Sequence, residues 1–199
     1  MNQHIDPPYY DNLDEALDYA FAMLAAGVKD RRSGFHTPAV ATVNAQGAPA
    51  VRTVVLRRFE PAERMIAFHT DMRTRKPKEI AANAHIGVHF YDAGRKLQLR
   101  ADCIARLEHG TDLARAAWDA SRAMSRACYA QAVPPGDPLE HPGDYAQVTP
   151  LDDEDAFANF AVVRATILRL EWLYLSSKGH RRALFDWRSG ALKSMWLAP

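Results

Sequence analysis

The sequence predicts a single mainly β domain over residues 1–199, an antiparallel barrel flanked by two to four helices. Three observations carry this. Short β-rich runs separated by turn residues fill the stretch from 39 to 109, and three more close the chain after residue 160. Helical periodicity of any length is confined to 13–32, 75–84 and 111–132. Six or more antiparallel strands usually close into a barrel, because closure removes unpaired sheet edges.

The first element, "LDEALDYAFAMLAAGVKDRR", spaces Leu13, Leu17, Ala20, Phe21 and Leu24 as one helical face. Its acids come early and its bases late, as the helix dipole favours. Gly27 weakens its end, and the run is expected to pack on the outside of the domain. "AVATVNAQGAPAVRTVVLRRFE" reads as two β runs around the hairpin turn "NAQG". "RMIAFHT" is a third strand and "RKPKEIAANA" a short helix. "HIGVHFYD" and "RKLQLRADCIARLEH" are two further strands. "TDLARAAWDASRAMSRACYAQA" reads as one helix, capped by Thr111 or Asp112. Residues 131–150 form a proline- and glycine-rich loop, too long for a mere connection and suited to a lid, a dimer-contact arm or a disordered segment. A short acidic turn or helix follows, then the strands "AVVRATILRLEWLYL", "HRRALFDW" and "ALKSMWLA".

Composition narrows the function. Hydrophobic content is 48%, charged content 25% and net charge +1, so the chain lacks the strong basic excess of a general polyanion binder. The two cysteines, Cys103 and Cys128, are read as reduced thiols of a cytoplasmic protein. No apolar run has membrane-spanning length, and the polar N-terminus is unlike a secretory signal. Glycine-rich nucleotide loops, the GxSxG elbow and HExxH are absent. His85 and His89 lie four apart on an extended strand, too far for an easy chelate, so no metal is expected.

The informative stretch is "HTDMRTRK", residues 69–76, with Arg73, Arg75 and Lys76 between a strand and a helix. A solvated turn, a nucleic-acid contact and a seat for one phosphate compete here. Thr74 can cap the helix and Pro77 falls in its first turn, where a missing N–H costs nothing. Free N–H groups at a helix start, next to Arg75 and Lys76, suit an anion. Nucleic-acid binding would call for aromatic platforms interleaved with the charges, and these are lacking. Arg52 sits inside the β-branched run "RTVVLRR" and needs a partner if buried. Arg52 and Arg57 point to opposite faces of a regular strand, so one ligand reaches both only if the strand bends. Gln98, between two leucines in "KLQLRAD", can read the edge of a heterocycle.

"RTVVLR", "MIAFHTDMRTRK" and "LQLRADCIARL" resemble, in order and spacing, three motifs of the FMN-binding split-barrel family of pyridoxamine 5′-phosphate oxidases. The resemblance runs from about residue 36 to 199, weakly through 112–128, with the 131–150 loop unmatched. It implies an FMN-binding split barrel that works as a homodimer with FMN at the subunit interface. By motif position, Arg52, the backbone of Thr53, Val54, Val55 and Leu56, and Arg57 would meet FMN. His69 stands at a tyrosine position of the family, and Thr70 at its threonine. Thr74, Arg75 and Lys76 would hold the 5′-phosphate, Gln98 would face the flavin, and Trp172 and Arg182 would come from the second subunit. The implied activity is an FMN-dependent oxidoreductase with no nucleic-acid or membrane partner. Alternatives are a flavin-binding module without turnover, another cofactor such as haem or a deazaflavin in the same barrel, and the true oxidase. The chain departs from the last: the family's R-L-H-D-R element reads "HRRALFD" here, and the substrate-phosphate helix offers Trp118, Arg122 and Ser125 as a partial fit. No catalytic acid or base stands out, and the substrate is left open.

Overall fold

The computed structural model describes residues 7–146 and 149–199. The first six residues of the polar N-terminus and positions 147–148 of the long loop lie outside the described residues. The chain forms α1 (Leu13–Lys29), β1 (Ala39–Val43), β2 (Pro49–Thr53), β3 (Arg58–Glu60), β4 (Met65–Asp71), α2 (Arg75–Ala82), β5 (His85–Asp92) and β6 (Leu97–Glu108). The second half adds α3 (Asp112–Asp119), α4 (Ala123–Arg126), α5 (Asp153–Ala158), β7 (Phe160–Tyr174), β8 (Arg181–Asp186) and β9 (Lys193–Leu197). All nine described strands belong to one antiparallel sheet, in the order β2-β1-β5-β6-β7-β4-β3, with β8 on β7 and β9 on β8.

The split originates in β7. Its first half, Phe160–Thr166, pairs with β4, and its second half, Arg169–Tyr174, pairs with β8. Along its other edge β6 follows the full length through a register shift at Asp102/Cys103, the kind of irregularity that bends a strand. The expected run "RTVVLRRFE" is not one strand. It leaves the sheet after Thr53 and re-enters as β3, at the opposite end of the strand order. Between them, Val54 N–H bonds Pro38 O (3.0 Å), Leu56 N–H bonds His36 O (2.8 Å) and Arg57 N–H bonds Ala67 O (2.8 Å). This crossing joins the two ends of the sheet and buries Val54 and Leu56.

Local signals explain most boundaries. Asn12 caps α1, accepting from the N–H of Asp14 and Glu15 at 3.0 and 3.2 Å. The helix stops at Lys29, three residues short of the expected end. Gly27 stays inside it, because a Cβ there would lie 2.9 Å from Phe35, which folds back onto the helix. The "NAQG" turn forms as expected: Asn44 Oδ1 accepts from Gln46 and Ala48 N–H, and Gly47 takes φ +78°. Thr111 caps α3 through Ala114 N–H at 3.2 Å. The expected helix over 111–132 breaks, however, where Arg122 turns extended and α4 restarts.

Two apolar clusters result. The larger fills the barrel with Leu24, Phe35, Phe68, Phe90, Leu99 and Trp172 among others. The smaller lies on the other face of β4, where Met65, Ala67 and Phe160 pack against Trp118 of α3 and Ala156 of α5. β4 is therefore covered on both sides, with alternate residues serving different clusters.

Candidate functional site

The basic junction is built on Asp71. Its carboxylate accepts from Arg73 N–H (2.8 Å) and from the Arg73 guanidinium (Nη2 at 2.7 Å, Nε at 3.0 Å). Arg73 Nη1 also donates to Gln131 O at 2.6 Å. Arg73 is thus consumed in holding the turn to the segment after α4. Thr74 occupies the N-cap position of α2, but its hydroxyl turns back to donate to Asp71 O at 2.7 Å and does not cap the helix. The first-turn N–H groups of Arg75 and Lys76 have no intrahelical partner, and Pro77 has no N–H to satisfy.

The side chains behind that helix start converge. Lys76 Nζ donates to Thr70 Oγ1 at 2.9 Å and lies over the Phe68 ring. Burial, then the nearby Arg52 charge, pushes its pKa down to about 8, against a partial offset from Asp71 and Glu79. Among the described residues no carboxylate lies within ion-pair distance of the Lys76 ammonium. Arg52 reaches the same region from β2. Its guanidinium donates to Glu79 Oε2 (2.7 Å), to Ala50 O (2.8 Å) and to Thr42 Oγ1. The hydrogen bond from Thr42, then those from Arg52, hold the Glu79 carboxyl below its ordinary range despite burial. Arg75, at the first helical position, is exposed.

His69 faces the other way from Thr70, as alternation on β4 requires. Its ring meets Phe160 edge-on at 4.7 Å, and burial, then the Arg57 charge, pushes its pKa down to about 4. His69 and Arg57 line a cleft of 660 Å³, floored by Met65, Ala67 and Val162 and rimmed by His36, Arg122, Ser125 and Arg164. The volume suits a small-molecule ligand.

The remaining expected residues lie elsewhere on the sheet. Cross-strand pairing puts Tyr91, Gln98, Leu173 and Arg182 in one row on its outward face. Arg182 is bound to Glu171 (2.5 Å), which Arg100 and Arg169 also approach at 3.6 and 3.7 Å. Burial raises the Glu171 pKa, but the Arg182 hydrogen bond and the three positive charges outweigh it and keep the carboxyl below its usual range. Trp172 departs from expectation: it points into the barrel, fully buried, stacked with Tyr174 and edge-on to Tyr9. It is a core residue of its own protomer. Val54 and Leu56 likewise use their backbone N–H groups within the chain, while Thr53 ends β2 and Val55 is half-buried.

The structure thus brings Arg52, Thr70, Thr74, Arg75 and Lys76 together around the start of α2, sets Arg57 and His69 in a cleft on the other side of β4, and leaves Gln98 and Arg182 on an outward row. Sequence reasoning missed Thr42, Asp71 and Glu79. The signal for Glu79 was present, since an arginine inside a strand calls for a carboxylate and "KPKE" offers one.

Residues 19–107 match the family model of the pyridoxamine 5′-phosphate oxidase FMN-binding domain. Pyridoxine/pyridoxamine 5′-phosphate oxidases of Hahella chejuensis and Gluconobacter oxydans are 43% and 36% identical over 51 and 84 residues. These stretches cover 26% and 40% of this chain but only 23% and 41% of those proteins. The chain therefore matches less than half the length of these curated relatives. A pyridoxamine 5′-phosphate oxidase-related, FMN-binding protein of Nostoc punctiforme superposes with a TM-score of 0.77 at 20% identity, covering 98% of this chain and 100% of that one. PhzG of Burkholderia lata, solved with tetrahydrophenazine-1-carboxylic acid, gives 0.77 at 18% identity over 99% and 98%. At such identity the likeness is one of fold. Residues 19–107 thus match the FMN-binding domain model of pyridoxamine 5′-phosphate oxidases, and the chain as a whole shares the antiparallel split-barrel fold of these solved structures.

Proposed function

We propose that the protein binds FMN and works as an FMN-dependent oxidoreductase. The observation that carries this is the Lys76 ammonium, mostly buried, bonded to Thr70 and without a carboxylate partner, at the open N-terminus of α2 beside Arg52. A phosphomonoester supplies the charge such a group lacks, and the free N–H groups of Arg75 and Lys76 suit its oxygens. Thr70, Thr74, Arg75 and Lys76 would hold the 5′-phosphate, with Arg52 behind them. When bound, the flavin supplies hydride and electron transfer. The chain's own part is to bind, orient and exclude water. His69, kept neutral, offers the cleft an uncharged ring nitrogen. The apolar floor and a rim of mixed charge, Arg57, Arg58 and Arg122 beside Glu60 and Glu63, suit an amphipathic organic substrate.

The working unit in this proposal is a homodimer. The outward row of Tyr91, Gln98, Leu173 and Arg182, with Tyr91 exposed and exposed Met195 on the adjoining strand, is where a second copy would bring Gln98 and Arg182 to the flavin. Both cysteines are unpaired and Cys128 is exposed, which suits a reducing compartment such as the cytoplasm. No helix of the described residues is long and apolar enough to cross a membrane.

The first test is the absorbance spectrum of the protein as isolated and after addition of FMN. Flavin bands that remain through gel filtration are expected, with the protein eluting as a dimer. A protein that stays colourless refutes FMN binding, and a Soret band would assign haem instead. Arg75→Ala with Lys76→Ala should weaken FMN retention by at least about tenfold, since each charge-assisted bond contributes about 1.5–3 kcal/mol. Unchanged retention would move the phosphate elsewhere. Turnover is then sought with pyridoxamine phosphate and oxygen and with reduced nicotinamides, and silence in both favours a flavin-binding module.

A further inference from the structure

The anion seat contains a carboxylate, which attraction of a phosphate does not require. Glu79 is buried on α2, one turn after Lys76. Its Oε2 accepts from Thr42 Oγ1 at 2.5 Å and from Arg52 Nη2 at 2.7 Å, while Arg52 Nη1 donates to Thr42 Oγ1. The three groups close a triangle that ties α2 to β1 and β2. Resting on the proposal that this seat takes the FMN phosphate, we infer that Glu79 is its positioning residue: it fixes the Arg52 fork and keeps Lys76 a cation.

The geometry supports both halves. Arg52 sits on β2, at the edge of the sheet, with its side chain about a quarter exposed. Held by Thr42, Ala50 O and Glu79, it retains N–H donors for a ligand without being free to swing away. Lys76 is faced by Arg52 from β2, by Asp71 from the end of β4 and by Glu79 from its own helix; Arg75 precedes it on α2. Asp71 is already bound bidentately by Arg73. Glu79 is therefore the carboxylate left to offset Arg52 beside Lys76. Without its charge, two cations would share a poorly solvated site, and Lys76 would be the one able to shed a proton. Three cations and one carboxylate leave about two positive charges, which matches a phosphomonoester of about −1.5 to −2.

The experiment is titration of flavin fluorescence between pH 7 and 9, with FMN and with riboflavin, which lacks the phosphate. The readout is the affinity for FMN relative to riboflavin. In the wild type this preference should fall by about twofold between pH 7 and 8, as Lys76 loses its proton near 8. Glu79→Gln should lose about fivefold over the same interval, because its fall begins at lower pH. In the Lys76→Met background the preference should be independent of this titration, and adding Glu79→Gln should not change the profile. A Glu79→Gln profile shaped like the wild type overturns the inference. So does a loss shared equally by riboflavin, which marks general unfolding. If Glu79→Gln does not fold, Arg52→Gln decides: removing the like charge beside Lys76 should move the fall to higher pH, and an unmoved profile refutes the network. If wild-type protein binds FMN no better than riboflavin, the phosphate seat itself is refuted, and the role of Glu79 with it. If it discriminates and only the variants fail to behave, the seat stands and Glu79 alone is dismissed.

Discussion

Asp71→Asn tests the turn that carries the proposed phosphate seat. The Asp71 carboxylate, 8% exposed, accepts one backbone N–H and two guanidinium nitrogens of Arg73, itself 18% exposed. An asparagine can keep its oxygen toward Arg73 N–H and Nε, at 2.8 and 3.0 Å. Its NH2 group then meets Arg73 Nη2, donor against donor, where the carboxylate now accepts at 2.7 Å. Breaking a buried pair from one side costs about 3–5 kcal/mol. Because Arg73 retains some contact with water, the lower end applies, about 3 kcal/mol. For a chain of this size that is a fall in Tm of roughly 6–12 °C. The assay is differential scanning fluorimetry beside chemical denaturation, with FMN affinity measured on the folded fraction. Affinity should fall as well, because a turn loosened at Arg73 no longer holds the Asp71 carbonyl, the acceptor of the Thr74 hydroxyl at 2.7 Å, in place. A variant that melts within about 2 °C of the wild type would refute the assignment of Arg73 to structure. Arg73 would then be free to act as a ligand.

Three further outcomes are expected. The pKa of Lys76 is lowered on folding from 10.5 to about 8, so the unfolded chain binds the extra proton between these values and stability of the flavin-free protein rises as pH climbs through them. Lys76→Met should therefore be more stable than the wild type by about 2–3 kcal/mol at pH 7, with the gap closing near pH 10.5; a gap that does not change with pH refutes this. His69 is lowered from 6.5 to about 4, so its contribution is intact above 6.5 and is lost as pH falls toward 4, and His69→Gln should remove up to about 3 kcal/mol of that acid sensitivity in urea titrations. Gly34→Ala would set a Cβ 2.4 Å from Tyr91 O and 2.9 Å from Asp92 Cα, backbone atoms of a paired strand that cannot give way, so a loss of about 3 kcal/mol is expected and a melt like the wild type would contradict the packing.

The division between legible and illegible follows the range of the forces involved. Local chemistry was readable. Thr111 caps its helix through a neighbouring N–H group, and "NAQG" turns because Asn44 bonds its own backbone. Period-two burial on β5 and the β6 alternation of leucine with polar residues put Gln98 on the outward face without reference to distant contacts. The breaks were not readable. Val54 and Val55 favour a strand by propensity, and only the carbonyls of His36 and Pro38 draw that segment across to close the barrel. Nothing in "WDASRAM" forbids a helix, yet the chain turns at Arg122 as the segment beyond it packs beside Trp118.

By itself, then, the sequence determined the class of the fold, most of its elements along the chain and the three motifs within or beside the stretch 19–107 that matches the FMN-binding domain model. Those properties are written in periodicity, turn chemistry and motif spacing, all of which are local. The tertiary structure decided how the charges are used. Of the three cations at the junction it spent Arg73 on Asp71, left Arg75 in water and turned Lys76 inward to Thr70. It put His69 and Thr70 on opposite sides of β4, drew Trp172 into the core, and matched Arg52 with a glutamate from another element. Whether a cation is free or paired depends on carboxylates brought close from distant parts of the chain, and that pairing is fixed only when the barrel closes.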